Sequence, residues 1–197
     1  FYKKIFESVY LAKSLEDAEF TKLFENCYRS VNIGLVNEMK MICDKLGLKI
    51  MDIIDTAATK PFGFRPFSPG PGVGGHCIAV DPYFIVSDYP MESKIIGTAR
   101  EVNNYKSFWC AEKIQNEKLQ FELKHKRKPS IALMGLAFKP NIDDLRESPA
   151  KYIVQKVLQN DNNGEYFIVE PNITNHNVFK LTHYKEAIDK ADIIVFL

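Results

Sequence analysis

Paired cysteines are absent from this chain. Cys27, Cys43, Cys77 and Cys110 form no Cys-x-x-Cys pair and no metal-ligand spacing, which argues against a zinc centre, a dithiol redox site or a disulfide framework. An excess of charge is missing as well. The 26 Lys and Arg residues against 25 Asp and Glu leave a formal net charge of +1, so no electrostatic footprint for nucleic acid or for a membrane surface is expected. No apolar run approaches the roughly 18 residues of a membrane-spanning helix. A signal-peptide pattern is also lacking, and with unpaired cysteines this points to a reducing cytoplasm.

What the chain has is enough apolar residue to bury a core: 197 residues, 46% of them hydrophobic. Ser14 can cap a long helix that runs to about Leu46, with acids in its first turn, no proline inside and Gly47 to close it. A second helical segment is expected from about Lys49 to Thr59, and a third long one from about Met91 to Lys126. The basic run Lys124 to Lys128 then reads as a solvated helix end. The chain opens on Phe1 to Phe6, which reads as helical, and stops on the strand pattern Ala191 to Leu197. It is therefore expected to be a piece of something longer.

Between the second and third helices lies the most unusual segment, residues 69–84, where Gly70, Gly72, Gly74 and Gly75 precede Cys77 and Asp81. Glycines accept positive φ and close approach, so they imply a shaped loop that holds one thiol. A tight turn around an inert core cysteine would give the same composition. Gly70 to Gly75 is neither a dinucleotide fingerprint nor a phosphate loop, since no strand precedes it and no Gly-Lys-Ser/Thr ending follows. On the first helix, Lys22, Asn26 and Arg29 fall at i, i+4 and i+7 and share one side. On spacing alone, an ordinary exposed stripe is the favoured account.

The pattern changes at Pro129. Ser130 to Gly135 reads as a buried parallel strand ending in a tight turn, followed by a helix from Ser148 to about Gln159, a strand from Glu165 to Glu170, a helix from Tyr184 to Lys190 and the terminal strand. Alternation of this kind implies a doubly wound sheet with right-handed crossovers. Ligands of such sheets sit beyond the carboxyl ends of the strands, where Phe138, Lys139 and Arg146 fall. Lys139 and Arg146 also have Asp143 and Asp144 as nearby partners.

Three constellations together, Lys22 to Asn26, the PGPGVGGHCIAVD loop of residues 69–81 and the GLAFKPNIDDLRESP turn of residues 135–149, resemble the UDP-glucose/GDP-mannose dehydrogenase family over nearly the whole chain. The resemblance implies an α/β protein: residues 1–128 form an all-helical central dimerisation domain with the Cys loop, and residues 129–197 a truncated, Rossmann-like UDP-binding domain. The N-terminal NAD-binding domain of the family is expected to be absent from this chain. Within the family, HCIAVDPYF, the run Thr98 to Asn104 and LRESPA resemble UDP-N-acetyl-D-mannosamine dehydrogenases, whereas Ala58 to Phe64 is more similar to UDP-N-acetylglucosamine 6-dehydrogenases.

The activity so implied is oxidation of a sugar C6 alcohol to a carboxylate with NAD as hydride acceptor. Cys77 is the implied nucleophile, Lys22 and Asp81 handle protons and water, and Asn26 completes the catalytic set. Arg29, Gly72, Gly74, Gly75, Phe138 and Lys139 are the implied contacts to a UDP-N-acetylhexosamine, and Arg146 reaches NAD. A homodimer is implied, with no metal, no nucleic acid and no membrane partner. The other class left open is a non-catalytic helical dimerisation module whose glycine loop is structural.

Overall fold

The computed structural model describes residues 1–161 and 163–197. Two long helices dominate its first half, α1 (Leu15–Leu46) and α4 (Lys94–His125), with α2 (Ile50–Ala58) and α3 (Asp81–Asp88) in the connection between them. As expected, Ser14 caps α1 by accepting from the Asp17 N–H at 3.0 Å, and Gly47 ends it in the left-handed region at φ 69°. The pairs Gly34–Ala99, Asn37–Asn103 and Asp44–Lys113 advance together along both helices. The helices therefore run in the same direction. Each spans about 48 Å at 1.5 Å per residue, so the chain must travel back along the pair before starting α4. That return carries Cys77.

Two expectations need adjustment. The opening Phe1 to Phe6 holds only a single 3-10 turn, Tyr2–Lys4, with no residue buried, because a short segment without a packed face does not sustain a helix. Residues 81–88, read from sequence only as the tail of the loop, form α3, with a proline in its first turn.

The second half is a three-stranded parallel sheet of order β2-β1-β3, from β1 (Ser130–Met134), β2 (Glu165–Val169) and β3 (Ile193–Phe196). Alternate residues of β1 face opposite layers. Ile131 and Leu133 pack with Ile153, Val154 and Val157 of α5 (Pro149–Asn160), whereas Ala132 packs with Ala187 of α6 (Tyr184–Lys190). The two crossover helices thus cover opposite faces, and the chain reverses its direction of travel across the sheet at β1.

The halves are joined along α4. Its Ala111 and Ile114 belong to the same buried cluster as α5 and β1. Lys118 pairs with Asp161, which also accepts from Tyr166 Oη at 3.1 Å. Past the helix, Arg127 grips Asp192 with both terminal nitrogens at 2.7 and 2.6 Å. The basic run is therefore a helix end, as expected, and part of it anchors the sheet.

Candidate active site

Cys77 sits exposed on a turn immediately before α3. Its carbonyl accepts from the N–H groups of Val80 at 3.0 Å and Asp81 at 2.8 Å, a closed turn that leaves the thiol at the surface. Asp81 opens α3 and accepts from Asn26 Nδ2 at 2.6 Å. Asn26 is 1% exposed on α1, so the carboxylate that follows the thiol is fixed from the helix behind it. Cys27, beside Asn26, has its thiol pushed up, first by burial and then by the charge of Asp81; it lies behind the loop and not at its surface.

The glycines meet the second half of the molecule. A Cβ on Gly74 would lie 2.6 Å from Phe138 Cβ and 2.8 Å from the Glu147 carbonyl oxygen, and one on Gly75, at φ +84°, would lie 2.7 Å from the Phe138 ring. Gly75 N–H also donates to the Arg146 carbonyl at 3.1 Å. The contact at these glycines is thus with the loop after β1. No larger residue fits that approach.

Phe138 and Lys139 line a hollow of about 480 Å³ beyond the carboxyl ends of the strands, bordered by Gly72, Gly135, Glu170 and Tyr184. Lys139 is exposed, its Nζ 5.8 Å from the Phe138 ring centre. Sequence reasoning missed Glu170. It is 5% exposed and accepts from the N–H groups of Leu136 at 2.8 Å and Ala137 at 2.9 Å and from Asn172 at 3.0 Å. Burial pushes this carboxyl up, but the backbone donors outweigh it and hold the group below its ordinary value. The turn amides that hold a dinucleotide pyrophosphate in a Rossmann site are here occupied by a side chain. These two N–H groups are therefore already engaged.

Arg146 is exposed and forks onto Asp144, with Nε–Oδ1 at 3.0 Å and Nη2–Oδ2 at 2.7 Å. The Arg146 side chain and then its backbone N–H hold Asp144 at about 2. The guanidinium is pushed up in turn, chiefly by Asp144.

The remaining candidates are less gathered. Lys22 lies one turn before Asn26, exposed, with Nζ 3.6 Å from Glu25, and no hydrogen bond or ion pair among the described residues joins it to Cys77 or Asp81. Arg29 borders a separate hollow of about 350 Å³ with Arg65 and Phe67. Of the expected set, the structure brings together Asn26, Asp81 and the Cys77 turn, and joins Gly74 and Gly75 to Phe138 and Arg146.

Family models match both halves: the central domain of the UDP-glucose/GDP-mannose dehydrogenase family over residues 16–105 and its UDP binding domain over residues 132–197. The chain belongs to this family. It is 43% identical to the UDP-N-acetyl-D-mannosamine dehydrogenase of Campylobacter jejuni, matching over all of this chain and 48% of that protein. It is 44% identical to an NDP-N-acetyl-D-galactosaminuronic acid dehydrogenase of Ralstonia nicotianae, over 91% of this chain and 42% of that one. Among solved structures, the UDP-N-acetyl-mannosamine dehydrogenase of S. aureus superposes with a TM-score of 0.76 at 34% identity, covering 93% of this chain and 42% of the other. The chain spans about half the length of the curated relatives it matches. Among the described residues no helix is long and apolar enough to cross a membrane.

Proposed function

We propose that this chain carries the nucleophile and substrate-binding elements of an NAD-dependent UDP-N-acetyl-D-mannosamine 6-dehydrogenase serving surface-polysaccharide synthesis. The observation that carries the reading is the exposed Cys77, on a turn fixed through Asp81 by Asn26 and preceded by Gly74 and Gly75, which meet Phe138 of the second half. A nicotinamide dinucleotide supplies the hydride acceptor and is held elsewhere than the β1 turn, whose amides Glu170 occupies.

The part played by its own residues follows from carbonyl chemistry. The C6 alcohol gives up a hydride and a proton to become an aldehyde. An aldehyde is a poor hydride donor until a nucleophile adds. Attack by the Cys77 thiolate forms a C–S bond and a tetrahedral alkoxide, loss of a second hydride, for which a second nicotinamide dinucleotide would be the acceptor, leaves a thioester, and water then releases the carboxylate and restores the thiol. Asp81 orients that water and takes its proton, with Lys22 compensating the oxyanion once substrate draws it from Glu25. Lys139 neutralises diphosphate charge in the hollow beyond β1. Arg29, Gly72, Gly74 and Gly75 complete the contacts to the sugar nucleotide. Arg146, exposed in the loop after β1, meets the dinucleotide.

A homodimer completes the reading. Leu35, Met39, Ile42 and Leu46 form an exposed apolar stripe along α1, wide enough to need a partner helix.

The test is Cys77→Ser in the full-length enzyme, which abolishes acid formation from UDP-N-acetylmannosamine; unchanged turnover overturns the mechanism. Parallel assays with UDP-N-acetylglucosamine, UDP-N-acetylgalactosamine and UDP-glucose decide the sugar. The galactosaminuronic relative makes another hexosamine the second reading. If Cys77 alkylates no faster than Cys27, Cys43 and Cys110 and UDP-sugar gives no protection, the chain is instead a helical dimerisation module.

A further inference from the structure

The far end of the Cys77 loop is held by a device that the chemistry above does not use. Gly70 N–H donates to Asn37 Oδ1 at 2.9 Å, Asn37 Nδ2 donates to Asn103 Oδ1 at 2.9 Å, and Asn103 Nδ2 donates to the Ser30 carbonyl at 2.9 Å. Asn37 and Asn103 are 0% and 1% exposed. The order of this relay is forced. A backbone N–H can only donate, so Asn37 must turn its oxygen to Gly70 and its amino group inward; Asn103 must then accept on one side and donate on the other, and only a carbonyl can end the chain. Ser107 Oγ donates to the Pro71 carbonyl at 2.9 Å in the next turn of α4.

One helix therefore grips both ends of the loop: α1 holds Gly70 through Asn37 and Asp81 through Asn26, about three turns apart. Cys77 lies between those two anchors, on a segment whose middle meets Phe138, Glu147, Pro149 and Arg146 at Gly74 and Gly75. A hydrophobic pair of similar size would fill the same space between α1 and α4 but would leave the Gly70 N–H without an acceptor.

We propose that Asn37 and Asn103 are positioning residues for the Cys77 thiol, setting the loop so that the thiol reaches an aldehyde at C6. This rests on the function proposed above. Thiol addition is needed only for the second oxidation, so a slackened loop impairs aldehyde oxidation more than alcohol oxidation and leaves sugar binding largely intact.

The test uses the full-length enzyme with Asn37→Ala and, because that change opens a buried site, Ser107→Ala as a milder second variant that removes only the bond to Pro71. Hydrogen exchange, read without substrate or dinucleotide, is expected to show protection of the Gly70–Gly75 amides falling about tenfold while α5 is unchanged. With UDP-N-acetylhexosamine and an aldehyde trap, acid formation is expected to fall about 100-fold for Asn37→Ala, KM to stay within about threefold, and trapped aldehyde to appear. A smaller shift in the same direction is expected for Ser107→Ala. A uniform loss of protection across both helices with the acid-to-aldehyde ratio unchanged overturns the proposal, as does an unchanged ratio in Ser107→Ala if Asn37→Ala does not fold. If the unmodified enzyme makes no acid, the proposed function fails instead.

Discussion

Asn26 Nδ2 lies 2.6 Å from Asp81 Oδ2, joining the interior of α1 to the first residue of α3 across the loop that presents Cys77. The bond is charge-assisted and half-buried, which places its loss near the upper end for single hydrogen bonds, about 1.5–3 kcal/mol. Asn26→Ala is expected to lower the urea midpoint by a corresponding amount and to reduce acid formation by the full-length enzyme. Asn26→Asp is expected to do worse on both, since it sets two carboxylates face to face; a midpoint equal to the unmodified protein in either variant contradicts the assignment.

Gly74→Ala tests the contact between the halves. The added methyl meets Phe138 Cβ at 2.6 Å, the Glu147 carbonyl oxygen at 2.8 Å and Pro149 Cδ at 2.8 Å, none of them the free end of a flexible side chain. Overpacking of this kind costs about 1–3 kcal/mol. Thermal unfolding should drop accordingly, and Cys77 alkylation should change rate, because the loop can relieve the clash only by moving. Phe138→Leu in the same background should restore part of the loss if the stem of residue 138 is free to shift.

Much of this arrangement is legible in the sequence, and the reasons differ by element. Ser14, Gly47, Ser148 and Pro149 mark helix ends through local chemistry that operates before any tertiary contact forms, and β1 is apolar from Ile131 to Met134 because both its faces are covered. The glycine loop advertises close approach, yet nothing in it says what approaches. Phe138 and the Glu147 carbonyl belong to a segment more than sixty residues on. The start of α3 had a signal in Asp81-Pro82 that the glycines overshadowed. Asn37, Asn103 and Glu170 had none, since a buried amide or carboxylate reads in sequence as a surface residue until its donors and acceptors are located. Lys22 and Arg29 share a helix side with Asn26 by spacing, but periodicity fixes direction and not reach.

Glu170→Gln tests whether the turn after β1 is held shut by a carboxylate. A neutral amide offers one oxygen to the Leu136 and Ala137 N–H groups and turns an amino group toward other donors. The expected cost is about 1–3 kcal/mol. Because Leu136 and Ala137 lead directly into Phe138 and Lys139, the KM for UDP-sugar should rise in the full-length enzyme more than kcat falls. No gain in dinucleotide affinity is expected from this chain on its own; tight NAD binding by Glu170→Gln would show that the side chain had been displacing a phosphate.

The pair Lys118 and Asp161 gives the clearest dependence on pH. The two side chains are 10% and 9% exposed, and the Lys118 ammonium, ahead of the Asn163 N–H and Tyr166, holds Asp161 at about 2. A carboxylate depressed in the folded state stabilises fully above its unfolded value near 3.9 and loses that contribution as pH falls toward the folded value. Equilibrium unfolding of the unmodified protein should therefore show a stability loss between pH 4 and about 2 that is smaller in Asp161→Asn, the remainder coming from other depressed carboxylates such as Asp144. At pH 7 the same substitution leaves the buried Lys118 ammonium with Glu122, at 3.8 Å, as its remaining carboxylate, and should cost about 1–3 kcal/mol. Lys118→Met with Asp161→Leu removes both charges and should recover most of that loss, since desolvation of the pair offsets much of its attraction. Recovery of stability with a persistent defect in acid formation would mean that the ion pair fixes the angle between α4 and the sheet, and with it the placement of Phe138 over the Cys77 loop.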